Sequence, residues 1–216
     1  MNLRTLDDFW DEIYDVLYEG NFKYYTVVPA ANLSKDDIGF VGGGEDAVQR
    51  VSGAVGKTLP REFETYLRSY CPAKMLYIPE AYKFMQLISY DEVGSDSWQH
   101  AYWLAVNDST LESITVIGED SEVGVLVVDI AAESCPLYVY GIDANCGERL
   151  QYAAPTLSHG LYLLAYRVLI IHNYGAMYNM DKPKRQHIAD MFQAKLDELT
   201  PGVSADTWHI FATPDE

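Results

Sequence analysis

The spacing of apolar residues changes twice along the chain, and it predicts helices, then strands, then helices again. Apolar positions that recur every three or four residues are typical of amphipathic helices, because 3.6 residues make one turn. Segments with this spacing are 5–18, 45–55, 59–70, 158–171 and 184–199. In the third of them the apolar stripe consists of Phe63, Tyr66, Leu67 and Tyr70.

Other segments carry short runs of β-branched and aromatic residues separated by turn-forming residues. Such runs predict strands, and short turns between them indicate that consecutive strands are antiparallel neighbours. The predicted strands are 24–28, 84–90, 101–106, 114–117, 123–130 and 137–142. The pattern therefore predicts an α+β fold, with an antiparallel sheet that follows one group of helices and precedes another.

Composition shows that this pattern belongs to a folded chain with an unusual charge. Of 216 residues, 49% are hydrophobic and 13% aromatic, which is too apolar for an acidic disordered tail. The chain has 32 acidic residues against 15 lysines and arginines, a net charge of −17. Binding to nucleic acid or to an anionic membrane needs clustered bases, so both are disfavoured. Two interpretations remain, namely solubility alone and attraction of a cationic partner.

The charge is concentrated in the middle of the chain. No lysine or arginine occurs from 84 to 148, and residues 91–150 hold 12 acids against one base, Arg149. Charge that serves only solubility would be spread over every exposed face. The asymmetry favours a working surface in the sheet region.

Cysteine usage and the chain start favour a reduced, cytoplasmic location. Cys71, Cys135 and Cys146 are odd in number and form no CxxC or Cys/His motif. The first residues, MNLRTLDDFW, contain no apolar signal-peptide core. The longest apolar run, 161–171, is too short to span a bilayer and contains Arg167.

Two glycine-rich segments resemble phosphate-binding loops without meeting their requirements. Residues 51–58, VSGAVGKT, end like a P-loop but lack its first glycine and its preceding strand. The alternative is a helix that ends at Gly56. The glycines at 42–44 could cradle an anion, but Glu45 and Asp46 follow at once, and a flexible hinge is favoured.

No other motif predicts catalysis, a cofactor or a bound metal. Hydrolysis by carboxylates needs two of them at a fixed separation across a cleft, which spacing along turns cannot establish. The five histidines are scattered without an HxxxH or HExxH motif, and GxSxG is absent. The closest carboxylate sets are Asp91 with Glu92, Glu119 with Asp120 and Glu122, and Asp129 with Glu133. Turns favour such residues for ordinary structural reasons, so we predict that the chain is not an enzyme.

Several motifs, in order, resemble the SUKH (Smi/Knr-like) superfamily. The stretch IGFVG at 38–42, a helix, and GKTLPREFETYLRSY at 56–70 look like its "LP…F…FL" element. Residues 114–129, ITVIGEDSEVGVLVVD, resemble its paired strands around a Gly-acidic-Gly turn. PLYVY at 136–140 resembles its next strand, and APTL at 154–157 the start of its closing helix.

This resemblance implies a fold, a function and a division of the chain. The fold would be α+β, a curved antiparallel β-sheet flanked by helices. Most bacterial members are immunity proteins that neutralise a cognate polymorphic or contact-dependent toxin, often a nuclease, and fungal relatives are regulatory scaffolds. The expected organisation is an N-terminal extension (1–37), a SUKH-like domain (38–175), and a C-terminal helix and tail (176–216) packed on it.

We therefore expect an immunity protein that binds a cationic toxin domain through its acidic surface. The alternative is a regulatory scaffold or adaptor with a non-toxin partner. Trp98, in the base-free span, is a candidate aromatic anchor, whereas a core position is favoured for Trp103. The residues expected to contact the partner are Asp91, Glu92, Asp96, Trp98, Asp108, Glu119, Asp120, Glu122 and Asp143.

Overall fold

The computed structural model describes seven stretches of the chain: 42–71, 76–80, 83–93, 113–120, 124–140, 150–174 and 181–208. They contain helices α1 (Gly44–Val55), α2 (Arg61–Ser69), α3 (Leu157–Tyr174) and α4 (Lys182–Leu199), with a short 3₁₀-helix at Ala205–Trp208. The strands are β1 (Leu76–Glu80), β2 (Lys83–Leu87), β3 (Ile114–Asp120), β4 (Gly124–Asp129), β5 (Leu137–Tyr140) and β6 (Leu150–Ala154). The predicted α+β class, an antiparallel sheet flanked by helices, is confirmed.

The six strands form one sheet in the order β1 to β6, each antiparallel to the strand before it. The register between β3 and β4 shifts by one residue, from Val116 opposite Val127 to Gly118 opposite Leu126. A bulge of this kind bends the strand and increases its twist. The sheet is therefore an open, curved meander.

The sequence pattern missed both edge strands and made one inner strand too long. β1 contains Pro79, which argues against a central strand but is tolerated at an edge, where an N–H bond can be missing. β6, LQYAA, lacks the β-branched residues that mark a strand. The prediction at 84–90 is wrong beyond Leu87, because residues 90–93 form a turn. The elements predicted at 5–18, 24–28 and 101–106 lie outside the described residues.

Helix α3 covers one face of the sheet. A Cβ atom added at Gly160 in α3 would lie 2.4 Å from Leu137 Cδ2, so the helix backbone rests against this side of β5. Because side chains alternate along a strand, Tyr138 points to the opposite face. Strand β4 is nevertheless buried at every position. Both faces of β4 are therefore covered, including Asp129 at its end, whereas Glu119 near the end of β3 is partly exposed.

Glycines before α1 permit close packing against α2. A Cβ at Gly42 would lie 2.0 Å from the Arg68 carbonyl oxygen, and the Gly43 N–H donates to the Leu67 carbonyl at 3.0 Å. Both positions are therefore held against α2, which corrects the expectation of a hinge. The first turn of α1 is bound by the same helix, since Arg68 Nε lies 2.9 Å from Glu45 Oε2. That hydrogen bond and the arginine charge lower the pKa of Glu45.

Gly56 ends α1, as expected if residues 51–58 are a helix end and not a P-loop. Its φ is 73°, in the left-handed region, and its N–H donates to the Ser52 carbonyl at 2.9 Å. Glycine adopts this conformation without the steric cost that a Cβ atom imposes. The segment is therefore a helix end that leads into α2.

Two substitutions in this segment separate backbone conformation from packing. Gly56→Ala is expected to lower the free energy of unfolding by about 1 kcal/mol, because alanine is strained at positive φ. Gly53→Ala, inside α1, is expected to raise it by about 0.5–1 kcal/mol. An added Cβ meets nothing within 4 Å at either position, so each controls for the other. Urea unfolding measures both, and effects of the same sign would contradict the assignment.

Helix α4 packs on the domain through one apolar stripe. Its first turn is capped by Asp181, whose Oδ1 accepts from the Lys184 N–H at 3.0 Å. Phe192 is fully buried, with its ring stacked at 6.2 Å on Tyr166 of α3 and edge-on at 5.9 Å to Trp208. The segment after α4 is thereby joined to the helix layer. No helix in the described stretches is long and apolar enough to cross a membrane.

Candidate functional site

The first predicted contact residues, Asp91 and Glu92, lie in the turn that follows β2. Asp91 Oδ1 accepts from Arg50 of α1, and both side chains are more than half exposed. Glu92 Oε2 accepts from the Ser89 hydroxyl at 3.2 Å. An exposed ion pair contributes about 0–1 kcal/mol, so a partner could replace the Arg50 contact at little cost.

Glu119 and Asp120 occupy the last positions of β3. Glu119 lies opposite Val125 and Asp120 opposite Gly124, so both belong to the end of the β3–β4 hairpin. The side chain of Glu119 is partly exposed. Glu119 thus reaches solvent although the paired strand β4 is buried at every position.

The structure does not bring these two acidic pairs together. Leu87 of β2 lies opposite Gly118 of β3. Because β2 and β3 are antiparallel, the chain runs from Leu87 towards Asp91 in one direction and from Gly118 towards Asp120 in the opposite direction. The two pairs would therefore contact different parts of a partner. The remaining predicted residues, Asp96, Trp98, Asp108, Glu122 and Asp143, lie outside the described stretches.

The carboxylates in the β4–β5 connection hold local structure. Asp129 Oδ1 accepts from the Ala131 N–H at 2.9 Å, and Glu133 Oε1 accepts from the Arg61 N–H at 3.2 Å. The first contact shapes the turn and the second ties it to the start of α2. Among the described residues, no group of three or more His, Cys, Asp or Glu side chains could hold a metal ion.

Cys71 and Cys135 are free and buried. Burial raises the pKa of each thiol to about 12. The thiolate is the nucleophilic form, and at pH 8 such a thiol is ionised to about one part in ten thousand. Neither side chain is therefore suited to nucleophilic catalysis.

Alkylation tests this assignment of the cysteines. At pH 8 in native protein, iodoacetamide should modify Cys71 and Cys135 at least about 100-fold more slowly than in unfolding concentrations of urea, because the native thiols are both neutral and buried. Peptide mass spectrometry resolves the two sites. Equal rates in native and unfolded protein would contradict the assignment.

An aromatic pair that the sequence pattern does not predict lies on the sheet face opposite α3. Tyr138 of β5 and Tyr152 of β6 are cross-strand partners, and their ring centroids are 5.6 Å apart at an interplanar angle of 74°. Tyr152 is 44% exposed, the one large hydrophobic side chain exposed among the described residues. The alternation of β5 could have indicated that Tyr138 and Leu137 face opposite ways. Its pairing with Tyr152 depends on the undetected strand β6.

Charge separates the described elements into two groups. Strands β3 to β6 contain no lysine or arginine, whereas each of the helices α1 to α4 contains at least one. Two arginines in the first helix pair are engaged with carboxylates, Arg50 with Asp91 and Arg68 with Glu45 and Glu64. A cation that approaches strands β3 to β6 therefore meets no competing base on those strands.

On these strands, the described residues that reach solvent include Glu119, near the end of β3, and Tyr152 of β6. A scan of protein-family models and searches of curated proteins and of solved structures found no match to this chain.

Proposed function

We propose that this chain is an immunity protein that binds and neutralises a cognate bacterial toxin with a cationic domain, in the cytoplasm. The proposal rests on one observation: residues 84 to 148 contain no lysine or arginine, in a chain of net charge −17. The resemblance of residues 38–171 to the SUKH superfamily suggests that the cationic partner is a toxin. Both supports are properties of the sequence.

The structural support lies in where the acids and bases are placed. Strands β3 to β6 carry acids without bases, and Glu119 and Asp120 lie at a hairpin end. A nuclease binds phosphates in a basic groove, and carboxylates placed in that groove would exclude its substrate. Such charge complementarity also speeds association, with rate constants up to about 10⁸–10⁹ M⁻¹s⁻¹ at low salt.

Protection of cells tests this function. The reading frame directly upstream of the gene should encode the toxin, so its expression alone should stop growth, and co-expression of this chain should restore it. The matched control is a toxin variant without its catalytic residue, which should be harmless but should still bind the chain.

Two results would contradict the proposal. One is a toxic upstream product whose effect persists when this chain is present. The other is a harmless upstream product that nevertheless forms a stable complex with the chain, which would favour the alternative, a regulatory scaffold or adaptor.

A further inference from the structure

The pair of the half-buried Tyr138 and the exposed Tyr152 has the geometry of a site for a cationic side chain. The two rings meet edge to face across β5 and β6, and Tyr152 is 44% exposed to solvent. A cation is attracted to the face of an aromatic ring when it lies within about 6 Å of the ring centroid. Tyr152 is therefore suited to stack against a guanidinium or ammonium group, with Tyr138 fixing its orientation.

A carboxylate lies beside this pair on the same face of the sheet. Tyr138 lies opposite Val127, and Asp129 is two residues further along β4, so its side chain is on the same face and diagonal to Tyr138. The carboxylate acts on the Tyr138 hydroxyl: the pKa of Tyr138 is raised by burial and, next in size, by the charge of Asp129. Asp129, which is 9% exposed, thus adds a carboxylate beside Tyr138 on the side of the pair away from Tyr152.

The helix layer of the same protein contains an arrangement of this kind. The ammonium group of Lys195 lies 5.9 Å from the ring centroid of Tyr162 and 5.7 Å from that of Tyr166. It also pairs with the Glu198 carboxylate at 2.7 Å. A cation held by two tyrosines and a carboxylate therefore already occurs in this fold, where the chain supplies its own lysine.

We propose that Tyr138, Tyr152 and Asp129 form a binding site for an arginine or lysine side chain of the partner. Charge complementarity identifies this occupant, because strands β3 to β6 carry no base of their own and the whole chain carries −17. As an interface with a toxin, this site rests on the proposed function. As a site for a cationic side chain, it can be tested without any partner.

The first test uses a small probe, N-acetyl-arginine amide, with N-acetyl-citrulline amide as its neutral control. The full chain carries 3-fluorotyrosine, and the ¹⁹F signals of the pair are assigned with Tyr138→Phe and Tyr152→Phe. The arginine probe should shift both signals saturably, and citrulline should not. Asp129→Asn, which retains an acceptor for the Ala131 N–H, should weaken the probe's affinity by about 3- to 10-fold.

Tyr152→Ala should abolish the shift of the Tyr138 signal, and an unchanged melting temperature shows that the exposed substitution leaves the fold intact. Equal shifts with arginine and citrulline would overturn the proposal. So would a Tyr138 shift that survives in Tyr152→Ala.

The second test uses the upstream toxin and distinguishes this site from the proposed function. Loss of the Tyr152 ring should raise the toxin's dissociation rate by about 5- to 30-fold, whereas Tyr152→Phe should leave it unchanged. Suppose that the chain protects cells but Tyr152→Ala dissociates from the toxin at the wild-type rate. The cation site would then not belong to the interface, whereas the proposed function would stand. If the arginine probe binds and the toxin does not, the proposed function fails and the cation site stands.

Discussion

The hairpin variant, Asp120→Lys at the end of β3 with Glu122→Lys further along the base-free span, is expected to slow toxin association by about 10- to 100-fold at low salt. Long-range attraction sets the rate at which oppositely charged proteins meet, and its loss returns association towards the slower rate of neutral pairs. Dissociation should change much less, because charges near the rim of an interface act mainly on encounter. Stopped-flow or surface-based kinetics at two ionic strengths measure both constants.

The matched control reverses two exposed acids on α4, Asp190→Lys with Asp197→Lys. It changes the net charge by the same amount but lies outside the base-free span. The difference between the two variants should shrink as salt rises, because the Debye length falls from about 10 Å at 0.1 M to about 3 Å at 1 M. Equal slowing by both variants would show that total charge, rather than the sheet region, governs association.

The largest expected effect on stability comes from Phe192→Ala in α4. The phenyl ring is fully buried between Tyr166 and Trp208, so truncation removes its burial and leaves a cavity between two helices. Buried Phe→Ala substitutions cost about 3–5 kcal/mol. In a chain of this length that lowers the melting temperature by roughly 6–20 °C.

Gln186→Ala on the same helix is the control for this substitution. Its side chain is exposed and hydrogen-bonds only with Asp190, one turn further along. This substitution should change the free energy of unfolding by no more than about 0.5 kcal/mol. If Phe192→Ala lowered the free energy of unfolding by less than about 1 kcal/mol, α4 would contribute little to the stability of the domain.

The helices could be predicted from the sequence because their signal is local. Phe63, Tyr66 and Leu67 recur at the period of a helix, and the structure buries all three in α2. Pro60 before Arg61 marks the start of that helix and Gly56 the end of the preceding one. These features need no information from distant parts of the chain.

The edge strands and the site geometry could not be predicted in this way, since they depend on pairing between distant segments. Tyr138 and Tyr152 meet because of the β5–β6 register, and a shift of one residue would place them on opposite faces. The contact of Asp91 with Arg50 joins residues 41 apart in the chain. Charge counting identified an acidic region, but only the structure shows which carboxylates already have partners.

The most direct test of the central claim is protection by the hairpin variant in cells that express the upstream toxin. We expect wild type and Asp190→Lys with Asp197→Lys to protect equally, whereas Asp120→Lys with Glu122→Lys should require about 10-fold more protein for the same survival. Expression levels and melting temperatures must match across the three proteins. Full protection by the hairpin variant at wild-type levels would contradict the claim that the acidic sheet region neutralises the toxin.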